Sequence, residues 1–149
     1  KVVVLKLIKI LFKKMATIRT FQEIEDQIKL LGKFAEADIE GLEPEAIDLY
    51  LRQLGVYMAS ASQLNAEAIY RFREASMSEI TKQIAKYTGE VMPASIAKEY
   101  LNSALKDFEY LKNITEAVRW SLEKRHAACI TLISKYKEER KIASLQKNA

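Results

Sequence analysis

Glycine and proline are scarce, with four Gly and two Pro in 149 residues. Glycine supplies the backbone freedom of tight turns, and proline breaks helices and starts turns. A chain so short of both has few places to reverse. Sandwiches and barrels, which need a turn about every 8–12 residues, are therefore excluded, and so is a doubly wound sheet with glycine-rich phosphate loops. Cysteine is limited to Cys129, so no internal disulfide can form; this fits a reducing compartment or indifference to redox, and a cytoplasmic location is expected. The sequence holds no G-x-x-x-x-G-K-S/T, G-x-G-x-x-G, G-x-S-x-G or H-E-x-x-H motif, the patterns that cradle phosphates, seat a nucleophile or hold zinc.

His126 is the only histidine. Glu123 and His126 have the i, i+3 spacing of helical di-iron ligands, but such a site needs two copies of the pair and two further Glu. His126 and Cys129 could touch one ion, yet structural zinc takes four ligands. Cys129 also falls on an apolar stripe, whereas a reactive thiol needs an accessible, electropositive setting. The acidic residues Glu23, Glu25, Asp26, Glu36, Asp38, Glu40, Glu43 and Glu45 lie early in helices or in loops, where they read as solvated faces and helix-dipole partners. The expectation is a protein that is not an enzyme, with no catalytic, cofactor or metal site. Asn113-Ile114-Thr115 spells a glycosylation acceptor inside a helical pattern and reads as chance.

What is present is helix-forming sequence. Hydrophobic residues make up 49% and charged residues 30%, a balance suited to a helical bundle. Thr20-Phe21-Gln22-Glu23 matches the capping box, and Phe21, Ile24, Ile28 and Leu31 follow at helical spacing, predicting a first helix over about 20–37. The acidic stretch 36–40 is expected to fray. Pro44 suits a first helical position, and a second helix is predicted over about 44–88. Its stripe is Ile47, Leu51, Leu54, Met58, Ala61, Leu64, Ala68, Phe72 and Ala75, with Ser76-Met77-Ser78-Glu79 as a candidate restart and Gly89 as the C-terminal stop. A third is predicted over about 94–145. There Leu101, Ala104, Phe108, Leu111, Thr115, Val118, Leu122, Arg125, Cys129, Leu132, Tyr136, Glu139 and Ala143 alternate by three and four, a heptad seam imperfect at Arg125 and Glu139. Such a helix must project, pair along its length with the second, or bend near Asn113. The short link 89–92 forces antiparallel neighbours. The predicted fold is thus all-α, a long antiparallel hairpin with a shorter N-terminal helix packed on it. Two long helices rarely bury both stripes alone, so a homo-oligomer or a protein partner is expected. Most tyrosines are expected at the edge of the core with the hydroxyl in water.

Charge is distributed unevenly. Residues 1–14, KVVVLKLIKILFKK, carry five Lys and no acid; residues 15–111 are net −6 and residues 112–149 net +5. Residues 1–14 read first as a non-native extension upstream of a start at Met15. They read second as a basic amphipathic segment lying on an anionic membrane, and third as a secretion signal, against which Lys6 and Lys9 and the lack of a small-residue cleavage site count. Residues 15–149 read as a single helical domain. Lys112, Arg119, Lys124, Arg125, Lys135, Lys137, Arg140 and Lys141 interleave with Trp120 and Tyr136. These cations read first as a solvated helix face turned toward the acidic 15–111 body; since basic side chains neutralise phosphates and aromatic rings stack on unpaired bases, Trp120 and these cations are also the candidate contact for single-stranded nucleic acid or a protein partner. They do not fall on one clean stripe.

The closing stretch SLEKRHAACITLISKYKEERKIASLQ, after a long helix carrying Phe108 and Trp120, resembles in texture the tails of short helical accessory proteins of bacteriophages and prophages. Such proteins often sit beside recombination or replication functions. The likeness covers about the last third of the chain, rests on no specific motif and transfers no functional residue. It implies a non-enzymatic phage-type helper and no more; contact with nucleic acid through the C-terminal helix is the reading of its basic residues. A self-associating structural or adaptor coiled coil is the alternative, and membrane association through residues 1–14 a second one.

Overall fold

The structure is a computed structural model that describes residues 18–86 and 93–147. Three helices account for nearly all of it: α1 (Phe21–Ala35), α2 (Pro44–Lys86) and α3 (Ala94–Lys147). No strand is present among the described residues. At 1.5 Å per residue, α3 is roughly 80 Å long and α2 roughly 65 Å. They form the antiparallel hairpin, and α1 packs against both. The predicted link 89–92 and the prefix 1–14 lie outside the described residues.

The cross-hairpin register follows from specific contacts. Asn65 Nδ2 donates to Thr115 Oγ1 at 3.0 Å and to the Lys112 carbonyl at 3.4 Å. Near the start of α2, Tyr136 donates to the Leu42 carbonyl at 3.4 Å and Arg140 lies 3.7 Å from Glu45. The pairing therefore runs along α2 to its first turn. Beyond it α3 continues alone, and Lys137–Lys147 are all exposed. Of the three options for so long a helix, α3 takes the first two: it pairs along most of its length and then projects, helical without interruption through Asn113.

The heptad seam of α3 is covered over the paired part. Leu111, Thr115, Leu122 and Cys129 are buried, with Phe108, Val118, Arg125, Leu132 and Tyr136 half-buried. Ala104, Glu139 and Ala143, predicted seam members, are exposed; Glu139 and Ala143 lie past the end of α2. On α2 the buried set is Ile47, Tyr50, Leu54, Ala61, Leu64 and Ala68. Ala61 and Ala68 are small enough to let the backbones approach around Thr115, whose hydroxyl also donates to the Lys112 carbonyl at 2.8 Å. That satisfies the one buried polar side chain on the seam.

Two expectations on α2 are corrected. Tyr50 is buried in place of Leu51, and its hydroxyl donates to the Phe34 carbonyl at 2.6 Å rather than pointing into water. Ser76 does not restart the helix: its hydroxyl donates to the Phe72 carbonyl at 2.8 Å, while Glu79 pairs with Lys82. Helix α2 is unbroken to Lys86.

Helix α1 starts with the predicted capping box. Thr20 Oγ1 accepts from Glu23 N–H, and Glu23 accepts from Thr20 N–H. Its inner face buries Ile24, Ile28 and Ala35, and Phe21 meets Phe108 edge-on. Gly32 lies where α1 meets α3, and a Cβ there would stand 3.4 Å from Val118, at the edge of ordinary contact. Phe34 stacks on Tyr50 and meets Tyr57 edge-on. The acidic linker is more anchored than expected, because Ile39 is buried. The turn into α2 uses Gly41 at φ +78°, a conformation costly for residues with a Cβ. No described helix is long and apolar enough to cross a membrane.

Candidate interaction surface

The nine residues singled out at the C-terminal helix divide by what they touch. Arg125 faces inward. Its Nε donates to the Ala35 carbonyl at 2.8 Å, so a guanidinium sits at the negative end of α1, where cations are favoured. Together with Tyr50 on Phe34, it satisfies two of the carbonyls a helix end leaves open. Lys112 places its Nζ 4.7 Å from the centre of the Phe72 ring. Arg119 is half-buried, lies 3.9 Å from Glu123, and has no hydrogen-bond partner at Nε among the described residues. These three are drawn into the hairpin.

The other six face water. Trp120 is exposed and Lys124 Nζ lies 5.8 Å from its ring centre. Lys135 stands 3.9 Å from Glu139 and Arg140 stands 3.7 Å from Glu45. Lys137 and Lys141 are exposed on the part of α3 near and beyond the end of α2. The structure thus brings Trp120 and Lys124 together and sets Lys137, Arg140 and Lys141, at i, i+3 and i+4, on one exposed side of α3, with Lys124 and Lys135 on another.

Cys129 lies on the α3 seam toward the start of α2, and His126, one turn before it, is half-buried. Cys129 is fully buried, and burial pushes its thiol above the usual range, with the nearby Arg125 guanidinium pulling back in part. A thiol held protonated is a poor nucleophile. Burial likewise raises the Tyr50 phenol, again partly offset by Arg125. Among the described residues, no three His, Cys, Asp or Glu side chains converge to hold a metal ion. Asn113 is exposed on α3 and Thr115 is buried in its seam.

A distinctive surface that carries no charged or aromatic motif lies on the outer side of α2. Leu49, Val56, Tyr70 and Met77 are 60%, 64%, 47% and 65% exposed. With Gln63 they recur at every seventh residue, so they form one stripe along the helix, pointing away from the seam at Ile47, Leu54, Ala61 and Ala68. The residues between them are small: Ala59, Ser62 and Ala66 are exposed, and a Cβ added at Gly55 would meet nothing within 4 Å. From Gln53 to Ala66 there is no Asp, Glu, Lys or Arg, which leaves about 21 Å of helix without charge. Isolated exposed apolar side chains are ordinary, but a contiguous stripe is not. Beside it runs an open groove of about 380 Å³ between α1 and α2, lined by Gln27, Leu30, Leu31, Phe34, Tyr57 and Leu64. The signal that would have found this surface is the uncharged run itself, in a chain that is otherwise 30% charged.

Compared with known proteins, the chain matches no family model, no curated protein and no solved structure.

Proposed function

We propose that this chain is a non-enzymatic helical interaction module, a structural or adaptor element that docks on protein through the outer face of α2. The observation that carries this reading is the exposed, charge-free stretch of α2 with apolar side chains at heptad spacing. A solvated helix face is normally rich in charge; a face of small and apolar residues gains by being covered. The buried, protonated Cys129 thiol argues in the same direction, against nucleophilic chemistry. A photo-crosslinking amino acid placed at Val56, with Trp120 as the comparison site, tests the reading in cells. Adducts of discrete polypeptide mass at position 56 support it. Absence of any adduct there contradicts it.

A second reading is contact with single-stranded nucleic acid of a phage-type accessory kind, centred on Trp120. It is favoured by the exposed indole with the Lys124 ammonium beside it, since an aromatic ring next to a cation suits an unpaired base and its phosphate. This reading expects nuclease-sensitive adducts at Trp120, and binding that falls steeply with salt and with neutralisation of Lys124.

A further inference from the structure

We propose that the outer face of α2 is the interface of an antiparallel homodimer, in which the same stripe of a second copy covers Leu49, Val56, Gln63 and Tyr70. The proposal rests on the docking reading above and names the occupant.

The argument is charge complementarity. A two-fold interface must fit itself, because each contact occurs twice. Outside the uncharged stretch, the outer side of α2 carries Glu45, Asp48 and Arg52 before it, and Glu67, Arg73 and Glu74 after it. All but the half-buried Glu67 are exposed. Reversing a second copy about the level of Ala61 brings Arg73 alongside Glu45 and Asp48 of the partner subunit. It brings Arg52 alongside Glu67 and Glu74 of the partner subunit. The two uncharged stretches then lie against each other, with Val56 near the partner's Ala66 and Ala59 near the partner's Gln63. A parallel copy would set each of these charges against its own like, and like charges facing each other are unfavourable. The pairing rests on Asp48, Arg52, Arg73 and Glu74, which lie on the surface, and leaves Glu67 in its half-buried pair with Arg19 at 2.7 Å. Arg52 makes an exposed i, i+4 pair with Asp48 at 3.0 Å, and such pairs add little. The small residues Gly55, Ala59, Ser62 and Ala66 allow the helix axes to come close.

Sedimentation equilibrium of the full chain over a wide concentration range tests the proposal. The expected result is a species of twice the 17.1 kDa chain that dissociates on dilution. Val56→Glu should return it to a monomer with unchanged helical circular dichroism, because Val56 is 64% exposed. Arg73→Glu should weaken the dimer by about tenfold or more, and adding Asp48→Arg should restore part of the loss. A wild-type monomer at the highest concentration overturns the dimer. In that case the docking reading stands if Val56 crosslinks to a different polypeptide, and falls with it if no adduct forms. A dimer indifferent to Val56→Glu also overturns the proposal, and failure of Asp48→Arg to rescue Arg73→Glu overturns the antiparallel arrangement.

Discussion

Helix α2 carries two stripes of the same period that meet opposite fates. Ile47, Leu54, Ala61 and Ala68 repeat every seven residues and are fully buried; Leu49, Val56, Gln63, Tyr70 and Met77 repeat every seven residues and are exposed. The inner stripe is closed by two walls, α3 along the hairpin and α1 laid across it. Nothing described covers the outer one. A shared period means that heptad spacing alone does not tell a core from a surface. The neighbours decide: the inner stripe is joined by Tyr50 and Leu64, while the outer is flanked by alanine, serine and glycine with no charge over four turns. The contrast teaches that a helix can be built to be covered twice, once in folding and once in docking.

The widest gap between the stripes should appear when adjacent positions are truncated. Leu54→Ala removes a fully buried side chain and is expected to cost about 2–5 kcal/mol, read by chemical denaturation. Two residues on, Val56→Ala should change monomer stability by less than about 0.5 kcal/mol, as exposed substitutions do. Comparable losses at both sites would abolish the distinction.

Asn65→Ala probes the polar lock of the inner side. It strips the Nδ2 donor from Thr115 but leaves the threonine hydroxyl bonded to the Lys112 carbonyl. A cost of about 0.5–1.5 kcal/mol is expected. A neutral result would mean that the two Ala layers set the register without it.

The inner side should also lose stability in alkali. Burial raises both the Cys129 thiol and the Tyr50 phenol, so the folded chain keeps those protons to higher pH than the unfolded chain. The thiol's contribution is fully present below its ordinary value of about 8.5 and is lost as pH rises above it, while the phenol's is lost only above about 10. Denaturation midpoints from pH 7 to 10 should therefore fall, and Cys129→Ala should flatten the first part of that fall.

On the outer side, Gly55→Ala should stabilise the monomer by about 0.5–1 kcal/mol. A helix-interior glycine is disfavoured against alanine, and the added methyl meets open space. If it instead weakens self-association, the face packs closely at that point.

Much of the fold was legible in the sequence, because helical signals here are strong and local. The capping box at Thr20 and Glu23, Pro44 at the start of α2 and the alternation from Phe108 to Tyr136 each fixed an element. What was not legible depended on a third body. Arg125 breaks the α3 seam by hydropathy, yet it belongs there because α1 ends above it and offers the Ala35 carbonyl. Arg71 stands out by no motif, yet in the structure it donates to the carbonyls of Ile18 and Arg19. With Glu67, which pairs with Arg19 at 2.7 Å, it fixes the segment leading into α1. Tyr50 displaced Leu51 because Phe34 of α1 gave it a ring to stack on and a carbonyl to bond. The candidate surface was missed for another reason. Attention to charged and aromatic clusters favoured the basic end of α3, whereas the informative feature of α2 is the lack of charge.

Hydroxyl-radical footprinting of the full chain, read by mass spectrometry at low and high protein concentration, tests the central claim most directly. Met77 and Tyr70 lie on the outer face of α2, and Trp120, exposed to a similar degree on α3, serves as the internal reference. The account predicts that oxidation of Met77 and Tyr70 drops as concentration rises, while Trp120 is modified equally throughout. Equal oxidation of all three at every concentration would contradict it.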